Sequence, residues 1–221
     1  MTSSAPTTDY YEIVSKLPPA TDLIFHNASW EDYEELLDQV GEASGLRISY
    51  NNGELQVMTL SAEHEKYVRF FEALMTAIRI RLRIKILSFG SATMKKSRRL
   101  KGKEPDACFY VQTADALGAR IQLDFETDPP PDIAVEVDVY HVSRDMFSIY
   151  AGLGVPEIWH YDGLALSIYK LQDGAYVEVA VSPALPMLTS QILADFLNRL
   201  RAEDEYQTLL AFDEWLQSLP K

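Results

Sequence analysis

Two acidic stretches carry the residue types that could do chemistry in this chain. They are EPDACFYV at 104–111 and PDIAVEVD at 131–138, and each contains Pro-Asp. In the second and the residue after it, Ile133, Val135, Val137 and Val139 point to one side of an extended chain, while Asp132, Ala134, Glu136 and Asp138 point to the other. In the first, Asp106, Cys108 and Tyr110 share a face. If the two strands are neighbours, Asp106 and Glu136 lie side by side. Two carboxylates within ~4 Å repel unless a cation sits between them or one takes up a proton. A hard divalent ion is the usual resolution, and Mg²⁺ typically takes one or two protein carboxylates plus water and phosphate oxygens. The plainer alternative is that these acids cap strand ends or lie on a solvated sheet face, Pro-Asp being common in turns.

The elements that must position these acids can be read in order. The three prolines at 129–131 end whatever precedes the second acidic strand. Ser143 to Leu153 reads as a helix stopping at Gly154, and Val155 to Tyr161 as another strand. Upstream, residues 1–20 read as a mobile tail and 21–221 as a single domain. Ser29 caps a helix through WEDYEELLDQVGEA. Leu46 to Tyr50 and Glu54 to Thr59 form a hairpin about Asn51-Asn52-Gly53. Ser61 opens a long helix to about Arg83, with Glu63 and Glu65 in its first turn and His64 at its third position. Strands are expected at Ile84–Phe89 and from near Glu104 to Val111, with 112–127 left open between a short helix and a loop. Leu164–Leu171 and Tyr176–Val181 complete an antiparallel meander, and two helices, from Gln191 and from about Asp204, close the chain. The class is α/β with a mixed sheet.

Composition bounds what such a chain can do. Its 221 residues, 47% of them apolar, suffice for a sizeable core. No apolar run approaches the ~20 residues of a membrane span, and the N-terminus lacks the features of a signal peptide. A single cysteine, Cys108, excludes an internal disulfide and fits a reducing compartment, so a cytoplasmic location is expected. The net charge of −13 argues against general polyanion binding. Yet ten of the 20 basic residues fall between Arg79 and Lys103. Within that segment Lys95, Lys96, Arg98 and Arg99 could hold a phosphate backbone, or could equally form a solvated loop.

Pro105-Asp106 followed by Glu136-Val137-Asp138 resembles the PD-(D/E)XK nuclease superfamily, and more narrowly the Uma-type (Uma-two) restriction endonuclease family. ISYNNGELQVMTLS, EHE at 63–65, GSATM at 90–94 and IYAGLGVPEIWHYDG at 149–163 extend the likeness from about 46 to 200. The resemblance implies a restriction-endonuclease-like core flanked by helices. It implies Mg²⁺, or Mn²⁺, held by Asp106, Glu136 and the Val137 carbonyl, with DNA as partner and a homodimer as the assembly. It also implies a further acid or acid–base group on the long helix, where Glu65, His64 and Glu63 compete. The chain departs from the pattern at the lysine that orients the attacking water. Two residues after the Glu stands Asp138, and the helical Asp-Lys-Phe segment of family members reads Asp145-Met146-Phe147 here. Methionine has neither charge nor donor. Arg144, Lys95 and Lys96 are the substitute cations, arginine being a poor proton shuttle. Two functions follow: a Mg²⁺-dependent DNA endonuclease, or a nuclease fold kept for binding or assembly without cleavage. Zinc is not expected, since His26, His141 and His160 show no ligand spacing with Cys108.

Overall fold

The computed structural model describes residues 9–41, 45–139 and 145–220. Asp9 caps α1 (Tyr10–Val14) by accepting from the Glu12 amide, and Val14 is buried. Part of the stretch expected to be a mobile tail is therefore a packed helix. A strand without an expected counterpart follows, β1 (Asp22–His26). Ser29 and Asp32 close a capping box at the start of α2 (Trp30–Val40), which Gly41 ends at φ 66°. The hairpin β2 (Leu46–Asn51) and β3 (Glu54–Thr59) turns at Asn52 and Gly53, both at positive φ, as an Asn-Gly turn requires. Ser61 caps α3 (Ala62–Leu82) by accepting from the His64 amide.

The strand expected at 84–89 is shorter, β4 (Leu87–Gly90), and then the basic segment folds. It forms β5 (Met94–Lys96), a 3-10 turn (Ser97–Arg99) and β6 (Lys101–Lys103). Next come β7 (Ala107–Tyr110), α4 (Ala114–Leu117), β8 (Ile133–Val137), α5 (Met146–Leu153) and β9 (Glu157–Tyr161). The start of the helix expected from Ser143 lies outside the described residues. The meander is β9 with β10 (Leu166–Gln172) and β11 (Ala175–Val179), and α6 (Ser190–Ala202) and α7 (Glu205–Ser218) finish the chain.

These strands form two sheets where one was expected. The first is antiparallel, in the order β1-β3-β2-β6-β5. The second, β11-β10-β9-β8-β7-β4, is mixed, because β8 and β9 run parallel across the α5 crossover. The strand expected from near Glu104 to Val111 is shorter, beginning only at Ala107, and the chain changes sheet just before it. Lys103 ends β6 in the first sheet and Ala107 begins β7 in the second, and Pro105, which cannot donate to either ladder, lies between them.

The largest core lies between α3 and the apolar face of the second sheet. Phe70, Phe71, Leu74 and Ile78 meet Phe109, Val135 and Trp159, with α6 and α7 closing the same cluster. Burying each such side chain stabilises the fold by ~1.5–3 kcal/mol. Helix α5 covers the opposite, acidic face of β8 at Ala134 and also packs on Met94 of β5, so it touches both sheets.

Gly102 fixes how β6 sits. A Cβ there would lie 2.6 Å from Cε1 of Tyr33, whose ring is fully buried on α2. Gly102→Ala should therefore cost ~1–3 kcal/mol by overpacking. A denaturant titration at constant m-value reads that loss, and an unchanged midpoint would show that the ring gives way freely.

Candidate active site

Pairing of β7 with β8 continues one residue beyond the strand. The Asp106 amide donates to the Val135 carbonyl at 3.0 Å, which sets Asp106 opposite Glu136 in register with Ala107↔Val135. Both acids leave the face away from the α3 core, while Ile133, Val135 and Val137 are buried within that core. Asp106 and Glu136 are only 4% and 1% exposed. The Val137 amide donates to Asp106 Oδ2 at 2.8 Å, so the backbone of one acidic strand orients the acid of the other.

Cations from the first sheet meet these acids. Lys103, on β6, places Nζ 3.1 Å from Glu136 Oε2, and both side chains are almost fully buried. Tyr150, on α5, donates its hydroxyl to the other oxygen, Glu136 Oε1. Arg47, on β2, places Nε 3.1 Å from Asp106 Oδ1, and His64 Nε2 lies 3.0 Å from the same oxygen. Burial alone would raise the Asp106 pKa. The hydrogen bond and charge of His64, then Arg47 and the Val137 amide, outweigh it and hold the carboxyl below its usual range. Glu136 goes the other way: burial raises it, Lys103 opposes, and the charges of Asp106 and Asp138 raise it further. The two acids feel each other, as their common face requires.

Around this pair the expected residues fall into three groups. His64 reaches Asp106 directly, while Glu65 lies 3.7 Å from both the Arg47 guanidinium and the His64 ring. His64 Nδ1 and Glu65 Oε1 are buried without a hydrogen-bond partner among the described residues. Met146 provides no cation. It is buried in the apolar cluster with Ile149, Tyr150 and Leu153, one turn before Tyr150 on the same helix face. Arg144 and His141 lie outside the described residues. Asp138, two residues after Glu136, pairs with His160 at 3.0 Å. Asp132 accepts from the Val111 and Thr113 amides at 2.7 and 2.9 Å and anchors the turn after β7.

The four expected phosphate-binding residues mostly have partners within the chain. Lys95 pairs with Glu34 at 2.7 Å. Lys96 and Arg99 donate to the Leu153 and Gly152 carbonyls at 3.0 and 2.9 Å, where a helix C-terminus favours cations. Arg98 and Arg99 are exposed on the 3-10 turn. Sequence reasoning passed over Lys103 because it ends a run of surface-like cations. The signal that could have marked it is Lys-Gly-Lys just before Glu-Pro-Asp, whose alternation puts Lys101 and Lys103 on one strand face, and both are buried.

Among the described residues no group of three or more His, Cys, Asp and Glu side chains is placed to hold a metal ion. The donors at the acid pair are nonetheless hard oxygens, and Mg²⁺ typically needs only one or two protein carboxylates. The unbonded, buried Glu65 oxygen adds a further acceptor beside the cluster. In donor chemistry the residues fit a hard divalent ion.

A family model described as "Uma2: Putative restriction endonuclease" matches residues 30–202. The chain belongs to the Uma2 family. A solved structure of "a putative nuclease belonging to DUF820" from Anabaena variabilis ATCC 29413 has the same fold. Its TM-score is 0.51 at 13% identity, and the match covers 77% of this chain and 99% of that one. No curated protein matches the chain. The Uma2 match and this neighbour bear out the expected nuclease-like α/β fold. No helix among the described residues is long and apolar enough to cross a membrane.

His160 offers a test away from the acid pair. Burial lowers its pKa, but the hydrogen bond and charge of Asp138 outweigh this and raise it. A raised folded-state value means the pair's stabilisation is complete below the unfolded value of ~6.5. It fades as pH rises through the higher folded value. Wild type should thus lose its advantage over His160→Gln across that interval in thermal melts taken pH by pH, and a constant difference would refute the assignment.

Proposed function

We propose that this Uma2 chain is a metal-dependent DNA endonuclease, with Asp106 and Glu136 holding Mg²⁺ or Mn²⁺. The observation that carries this reading is Lys103, whose ammonium lies 3.1 Å from Glu136 beside Asp106. When bound, the ion supplies Lewis-acid polarisation of the scissile phosphate and a lowered pKa for the attacking water.

The chain's own residues do the rest. Asp106 and Glu136 present oxygens from neighbouring strands, and the Val137 carbonyl is the third donor in this reading. Val137 also fixes the Asp106 carboxylate through its amide. Tyr150 fixes the Glu136 carboxylate and leaves Oε2 facing Lys103. Lys103 stands where a cation stabilises the charge that grows on the phosphate in the transition state. His64 orients Asp106, and Glu65 accepts from groups drawn into the site. Exposed Arg98 and Arg99, with Lys95 and Lys96, extend the contact along the DNA backbone.

The competing reading, a nuclease fold used for binding or assembly, draws on the lack of a lysine at 138 and 146 and on the net charge of −13. Lys103 supplies that cation from another strand, which supports cleavage.

Nicking of supercoiled plasmid with Mg²⁺ and with Mn²⁺ tests the proposal. Wild type should cleave, and Asp106→Ala should remove activity. Lys103→Met should lower the rate by ~10²–10³-fold, as for loss of one transition-state donor. The double change Lys103→Met with Met146→Lys should recover part of it, because position 146 lies one turn from Tyr150 on the face toward the site. Circular dichroism on each variant separates lost chemistry from lost fold. No nicking by folded wild type with either metal would leave the binding or assembly role.

A further inference from the structure

We propose that Arg47 is a built-in counter-ion of Asp106 that yields its place when a divalent ion binds, its guanidinium then serving the substrate phosphate. This rests on the metal-dependent reading above.

Asp106 has little spare capacity as it stands. Its Oδ1 takes Arg47 Nε at 3.1 Å and His64 Nε2 at 3.0 Å, and its Oδ2 takes the Val137 amide at 2.8 Å. A hard ion ligated by Oδ1 at ~2.0–2.6 Å would share that oxygen with a permanently charged guanidinium. Like charges on one buried oxygen repel, so binding of one favours departure of the other.

The structure distinguishes Arg47 from the other cation. Lys103 and its partner Glu136 are 3% and 2% exposed in their side chains, and Lys103 has nowhere else to go. Arg47 is 12% exposed and lines a cleft of about 660 Å³, together with Phe89, Thr93, Glu104, Leu123 and Phe125. Its guanidinium is only partly engaged on that side. Nη1 donates to the Leu46 carbonyl at 3.1 Å, whereas Nη2 stands 3.7 Å from Glu65 Oε1, beyond hydrogen-bond range. That same Glu65 oxygen is buried and without a hydrogen bond among the described residues. A donor held just out of reach of its acceptor, in the lining of a cleft, suits a group with two positions. In the first, Arg47 neutralises Asp106. In the second it offers its planar fork to a phosphate, the geometry guanidinium matches best.

The binding of Mn²⁺ to DNA-free protein, followed by electron paramagnetic resonance, tests the exchange without any turnover. Arg47→Gln should bind Mn²⁺ on the order of tenfold more tightly than wild type, within the range typical of coupled sites. Arg199→Gln, which breaks only the exposed Glu203 pair, should change nothing. Equal Mn²⁺ affinity in wild type and Arg47→Gln overturns the exchange and leaves the metal site standing. No Mn²⁺ binding by either overturns the metal reading and this inference together. Should Arg47→Gln fail to fold, wild type answers alone: the Arg47 Nε–H resonance should shift on saturation with Mg²⁺, and an unmoved signal overturns the proposal. For the phosphate arm, Ca²⁺ should raise the affinity of wild type for a DNA oligonucleotide several-fold more than that of Arg47→Gln. An equal gain in both removes that arm.

Discussion

Asp106 and Glu136 face each other on one side of β7 and β8 with almost no exposure, and two ionised carboxylates cannot be buried that way unaided. Taking a charge out of water costs several kcal/mol even after relaxation, so each acid must find a cation or give up its charge. Lys103 answers for Glu136, and Arg47 with His64 answers for Asp106. Both permanent cations come from the first sheet and both acids from the second. The electrostatic need of the site is thus also the link between the two sheets.

That link explains several local choices. Gly102 leaves room for Tyr33, which lets β6 lie where Lys103 reaches Glu136. Pro105 marks the passage between sheets, placing Lys103 and Asp106 three residues apart yet on different ladders. Helix α5 packs on both sheets and contributes Tyr150 to Glu136, so the crossover that makes β8 and β9 parallel also orients the acid. Ion pairs this deeply buried add little net stability beyond an apolar equivalent, but losing one partner is costly. Their retention suits a site whose charges have work to do.

The arrangement also accounts for the contrast between the acidic chain and its basic segment. Five of the cations between Lys95 and Lys103 have partners within the fold: Glu34, the carbonyls at the end of α5, Ser148, and Glu136. The segment is chiefly a structural strip joining β5 and β6 to α5, and its exposed turn carries Arg98 and Arg99 outward.

By itself the sequence determined much of what depends on local pattern. Alternation at 132–139 placed Glu136 opposite the buried valines, Ser29 and Ser61 marked two helix starts, and Asn52-Gly53 marked the hairpin, because these are short-range preferences of backbone and side chain. The family resemblance, too, was carried by residues legible in order. The tertiary structure alone decided which strands share a sheet, and so which cation meets which acid. β6 was not expected and β7 was expected to start near Glu104, because only long-range pairing with β2 and β8 assigns these short strands to different sheets. Lys103 was invisible for the same reason: burial of a lysine is set by its partner from another sheet, not by its neighbours in the chain. Arg47 lies 59 residues from Asp106, a separation over which no spacing rule operates and only the packing of two sheets brings the charges together.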